Sequence, residues 1–225
     1  MRILFAVFTL WLSALPAQAV DLASLSNKDV VSGLKEALSQ SSSAAVAKLG
    51  VENGFLGNPK VKIPLPDKLQ KIEGTMRRFG MGGTADELIT SMNRAAEAAV
   101  PEAKTLLLGA VKKMSVQDAK GILTGGDDAA TQYFRNNTEN QLRTKFEPIV
   151  SKTVRQVGLV EKYDAFAGKA ATLGLKDTPN MEQYVTQKAL DGLFLMMKDE
   201  EKAIRTSPAQ YSGKLLQKVF GAVGH

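Results

Sequence analysis

The chain has 225 residues, a formal net charge of +6, no cysteine and a single histidine, which is its last residue, His225. That composition excludes a disulfide framework, the usual zinc sites, and Ser-His-Asp or Cys-His nucleophile systems. The basic excess is mild and lacks the dense footprint of a nucleic-acid binder, so no nucleic-acid partner is expected.

Met1-Arg2 lead into an apolar run from Ile3 to Leu15, followed by Pro16-Ala17-Gln18-Ala19. A charged start, an apolar core and an Ala-x-Ala pattern together describe a secretory signal peptide over residues 1–19, with cleavage after Ala19. A periplasmic location is the expectation. The apolar run is shorter than the roughly 20 residues of a bilayer span, so the mature chain is not expected to be transmembrane.

Residues 20–225 are expected to form a single all-α domain, a compact multi-helix bundle, because 3.6-residue periodicity recurs and no sustained period-two run appears. Ser26 with Asp29 opens the first helix, which stops at Leu49-Gly50. Its middle, Gln40 to Ser43, is expected to be weakened by hydroxyls that compete for main-chain bonds. Residues 51–66 carry Asn53-Gly54, Gly57-Asn58-Pro59 and Pro64-Leu65-Pro66, which predict an irregular segment strapped across the helices by Phe55, Leu56, Val61 and Ile63.

A short helix is then expected from Pro66 or Asp67 to Gly80, with Leu69, Ile72, Met76 and Phe79 on one face. Thr84 with Glu87 is read as the capping box of the next helix, and Pro101 as its break. Ser115 with Asp118 opens a short helix ending near Thr124. Thr138 with Gln141 is read as a further helix start, with Pro148 predicting a bend. Another helix is expected over Glu161–Leu173. Asn180 with Gln183 caps a long helix, apolar on more than one face and therefore central, and a last helix spans roughly Tyr211 to Phe220.

Four stretches carry a resemblance: GFLGNPKVKIPLPDKLQKIE, SMNRAAEAAVPEAK, GGDDAATQYFR and YVTQKALDGLF. In this order they resemble the bacterial family catalogued as domain of unknown function 4197. The resemblance implies a secreted, helical bacterial protein with no assigned activity, and it supplies no catalytic or binding residue.

Three groups of residues are candidates for function. The first is the stretch after Thr124. As a cap, Gly125 ends one helix in a left-handed conformation, Gly126 turns the chain, and Asp127 caps a helix beginning near Asp128. As a ligand loop, the same stretch offers Asp127, Asp128, Tyr133 and Arg135. It lacks the alternating oxygens of a calcium loop, and its aspartates repel a phosphate. The second is a basic strip, Lys60, Lys62, Lys68, Lys71, Arg77 and Arg78, opposed by Asp67 and Glu73 and suited to an anionic envelope surface or an acidic partner. The third is the set Tyr133, Phe134, Tyr184, Phe194, Met196 and Met197, which is either core or the lining of an apolar pocket.

No Gly-rich nucleotide loop occurs, and no catalytic residue, cofactor or metal is assigned. The leading expectation is a periplasmic, non-enzymatic helical protein that binds a partner protein or the envelope surface. The alternative is a carrier of an apolar or amphipathic small ligand, and the third reading is a carboxylate-dependent hydrolase.

Overall fold

The computed structural model describes residues 26–78, 80, 82–156 and 180–223. The expected signal peptide, the helix expected over Glu161–Leu173, Phe79, the side chains of Ile72 and Met76, and His225 lie outside the described residues. Among the described residues the chain is all-α: eight helices and no strand. They are α1 (Asn27–Leu49), α2 (Asp67–Arg78), α3 (Gly82–Ala99), α4 (Ala103–Lys113), α5 (Val116–Thr124), α6 (Ala129–Gln156), α7 (Met181–Thr206) and α8 (Lys214–Val223). None is long and apolar enough to cross a membrane.

Local signals set several boundaries. The Ser26 hydroxyl accepts the Asp29 N–H at 3.1 Å and starts α1. Ser115 and Asp118 form a complete capping box at α5, and the Asn180 side chain accepts the Gln183 N–H at 3.0 Å to start α7. Each cap satisfies main-chain donors that the first helical turn leaves free. Pro101 sits in a short 3₁₀ turn, Val100–Glu102, that separates α3 from α4.

Three expected boundaries differ. α3 begins at Gly82, so Thr84 lies inside its first turn. α6 runs unbroken from Ala129 through Thr138 and Pro148 to Gln156. The Thr138 hydroxyl donates to the Phe134 carbonyl one turn back at 2.7 Å, so it is satisfied inside the helix and no new start is needed. α8 begins at Lys214, after a 3₁₀ turn at Pro208–Gln210. The serines of α1 do not break it either. Ser41 and Ser42 are buried and donate to the Leu38 carbonyl at 3.2 and 2.6 Å.

One continuous core runs from Val30 to Phe220. Within it α7 packs on α1, α3 and α6, and α1 packs on α4, α7 and α8. Residues 51–66 cross this core as an irregular strap with Phe55, Val61, Ile63 and Leu65 buried. Its main chain has no neighbouring strand, so side chains one turn apart on α3 take that place. Asn93 accepts the Ile63 N–H at 2.8 Å and donates to the Ile63 carbonyl at 2.9 Å and to Ile89 at 2.7 Å. Glu97 accepts the N–H groups of Phe55 and Leu56 at 3.0 and 3.1 Å, with Arg94 as its counter-ion at 2.6 Å. The Phe55 ring lies against Gly192 of α7, where an added Cβ would come within 2.6 Å of it. The Tyr184 hydroxyl donates to the Pro64 carbonyl at 3.0 Å and fastens the other end.

Replacing Asn93 with leucine strands both polar groups of Ile63 in the core. At roughly 1–3 kcal/mol per unsatisfied group, urea unfolding should show a loss of about 2–5 kcal/mol.

Tyr184 gives a pH signature. Burial, assisted by Asp67, pushes its phenol up to about 12, against about 10 unfolded. A raised folded value means the stabilisation is complete below pH 10 and is lost as pH rises toward 12. The phenolate also has no proton left to give to Pro64. Unfolding midpoints should therefore fall over pH 10–12, and Tyr184→Phe should flatten that fall.

Candidate functional site

The turn between α5 and α6 is built differently from the local cap its sequence suggests. Gly125 is extended, with φ −81° and ψ 179°, not left-handed. Asp127 is exposed, and its side chain makes no hydrogen bond among the described residues. The free N–H groups at the start of α6 are instead taken by Glu201 of α7. Its Oε1 accepts from Ala130, and its Oε2 accepts from the Thr131 N–H and hydroxyl, each at 2.9 Å. Glu201 is 4% exposed, so it also needs a counter-charge. Arg205, one turn further along α7, supplies it at 2.9 Å and donates to the Ile122 carbonyl at the end of α5 at 2.8 Å. One ion pair thus caps the end of α5 and the start of α6 together.

Asp128 is released for another role. It pairs with Lys198 of α7 at 2.8 Å. α6 and α7 run antiparallel, as successive contacts show: Asp128 with Lys198, Arg135 with Asp191 at 3.6 Å, Arg143 with Gln187, and Ser151 with Glu182 at 2.7 Å. At the Asp128 end the two helices enclose an open cleft of about 590 Å³, within the range of ligand sites.

Asp128, Arg135, Asp191 and Lys198 give the cleft two charges of each sign; Thr131 and Gln132 add neutral polar groups, and Phe194 and Leu195 an apolar side. The Arg135 guanidinium lies 4.7 Å from the centroid of the Phe194 ring. Its nearest carboxylates, Asp191 and Glu139, are both at 3.6 Å, and it makes no hydrogen bond among the described residues. Leu195 is one of the few large apolar side chains left exposed.

The electrostatics favour holding charge over moving protons. Lys198 keeps the Asp128 carboxyl below the usual carboxylate range, and Asp128 keeps the Lys198 ammonium above its usual value. Neither group is moved toward neutrality, where a general acid or base works well. Among the described residues, no three His, Cys, Asp or Glu side chains stand close enough to hold a metal ion.

The other candidates fall elsewhere. Tyr133 turns away from the cleft, with its hydroxyl toward the Ala110 carbonyl at 3.4 Å and its ring edge-on to Phe134. Phe134, Phe194 and Met197 are core, and Tyr184 serves the strap, so the aromatic and methionine set does not line one pocket. The basic strip is divided. Lys60 pairs with Asp199 at 2.5 Å, and Arg77 pairs with Glu73 and Asp86 at 2.7 and 2.6 Å. Lys62 lies on the strap and Lys68, Lys71 and Arg78 on α2, all exposed. These six residues therefore do not form an unopposed positive face.

Asp191, Lys198 and Leu195 were missed as site residues. The available signal was charge spacing: Asp128, just before α6, and Arg135 lie seven apart, as do Asp191 and Lys198 on α7, in opposite positions once the pair is antiparallel.

A family model described as protein of unknown function (DUF4197) matches residues 24–221. No curated protein and no solved structure matches the chain.

The α5–α6 turn yields a direct contrast. Glu201→Ala removes the acceptor of two helix N–H groups and leaves Arg205 without its counter-ion, which should cost about 3–5 kcal/mol in chemical denaturation. Asp127→Ala should change stability by no more than about 0.5 kcal/mol, as an exposed side chain without a partner does.

Proposed function

The chain belongs to the DUF4197 family, and we propose that it is a non-enzymatic binding protein of the cell envelope that takes a polypeptide partner in the α6/α7 cleft. The observation that carries this reading is the cleft itself: an open space on two packed helices, with balanced fixed charges beside Phe194 and exposed Leu195. Extended polypeptide presents charges, amides and apolar groups at short intervals, which matches such a lining. An anionic membrane needs an unopposed basic surface, whereas Lys60 and Arg77 are already paired. An apolar carrier needs an enclosed space, whereas Phe134 and Met197 are packed in the core. Export rests on the signal-peptide pattern of residues 1–19, which supports an envelope partner.

The test is a photo-crosslinking residue placed at Leu195 in intact cells. A discrete protein adduct should form there, should not form from the exposed positions Val51 or Val116, and should weaken with Lys198→Glu. The absence of an adduct at Leu195, or identical adducts at all three positions, rejects the cleft as the binding face.

A further inference from the structure

We infer that the cleft recognises the C-terminal residue of its polypeptide partner, with Arg135 seating the terminal carboxylate and Asp191 accepting the adjoining main-chain N–H. This inference rests on the reading of the cleft as a polypeptide site and names the part of the polypeptide it takes.

Arg135 is held in place without its hydrogen-bonding capacity being used. Its guanidinium lies against the Phe194 ring at 4.7 Å, the Asp191 and Glu139 carboxylates pair with it only loosely at 3.6 Å, and it makes no hydrogen bond among the described residues. A guanidinium carries a planar fork of donors that matches a carboxylate or a phosphate oxygen pair. Contact with the ring restricts the guanidinium in advance, which reduces the ordering cost of binding.

The surroundings choose between the two anions. The charges of Asp128 and Asp191 cancel those of Arg135 and Lys198, and Glu139 adds a further carboxylate at the fork. A dianionic phosphate would meet no net positive field, whereas a single negative charge needs only the fork.

What lies next to Arg135 narrows the class again. Asp191 accepts one hydrogen bond on Oδ1, from Gln187 at 3.0 Å, and Oδ2 accepts none among the described residues. An acceptor therefore stands beside the fork, and exposed Leu195 supplies apolar surface in the same cleft. A C-terminal residue carries a carboxylate, an N–H and a side chain on one carbon, so all three features are met by one residue. An aspartate or glutamate side chain places its carboxylate further from its own N–H and brings no apolar group with it.

Fluorescence anisotropy with the full chain tests this directly. One probe is a labelled pool of random hexapeptides ending in leucine with a free carboxylate; the other is the same pool amidated. The free-acid pool should bind at least about tenfold more tightly, since a charge-assisted pair is lost on amidation. Arg135→Lys keeps the charge but loses the fork, and should remove most of that preference without shifting the thermal midpoint. Asp191→Asn should weaken both pools. 4-Methylpentanoate, which has the carboxylate and the apolar group but no N–H for Asp191, should compete only weakly.

Equal binding of the two pools, or binding of neither, overturns the C-terminal assignment, while the Leu195 crosslink still decides whether the cleft takes a polypeptide. Binding of 4-methylpentanoate as tight as that of the peptides overturns the polypeptide source in favour of a small free acid.

Discussion

A buried main-chain N–H must have an acceptor, and where a segment outside the helices has no turn carbonyl to supply one, a side chain must. Three residues meet that demand: Asn93 and Glu97 for the strap, and Glu201 for the first turn of α6. Much of the architecture depends on them. Asn93 and Glu97 satisfy the strap where it crosses the core, next to the point where Phe55 packs on Gly192. Glu201 and Arg205 tie the end of α5 and the start of α6 to α7, beside the pair that Asp128 makes with Lys198.

The four sequence stretches that carry the resemblance meet in two main pairs, and the α7 stretch also touches the strap through Tyr184 and Gly192. The strap stretch is held by the α3 stretch through Asn93 and Glu97. The α6 stretch faces the α7 stretch through Arg135, Asp191 and Phe194. The two pairs do different work. The first is buried and satisfied, and its groups have no capacity left for anything else. The second is half-exposed and loosely paired, and exposed ion pairs contribute little to stability. The cleft charges can therefore change partners without much effect on the fold.

What was legible in the sequence was local. Ser26, Ser115 and Asn180 each cap through a group three residues away, so a short window contains both partners. The strap was legible because its prolines and glycines leave the chain few alternatives. Glu201 was not legible: its partners lie about 70 residues earlier, and nothing around it resembles a capping motif. Asp127 sat where capping preferences place an acceptor, but the acceptor came from another helix. Thr138 with Gln141 had the letters of a helix start, yet a buried threonine inside a helix returns its hydroxyl to the turn behind it. Of the local cluster, Asp128 and Arg135 reached the cleft and Tyr133 did not. Two residues along a helix is about 200° of rotation, so Tyr133 and Arg135 cannot share a face.

The seven-residue spacing from Asp128, just before α6, to Arg135 and from Asp191 to Lys198 within α7 has a metric consequence. At 1.5 Å per residue, Asp128 and Arg135 are separated by about 10 Å along the axis, and so are Asp191 and Lys198. Both helices are anchored in the core, so that interval is set by backbone repeat and does not adjust to a visitor as a loop would. The two ion pairs form graduations on a ruler. An extended chain rises about 3.3 Å per residue, so the ruler reads about three residues. Selection here would act on the interval between a guest's polar groups, and inserting one residue between them would move the second group off its mark.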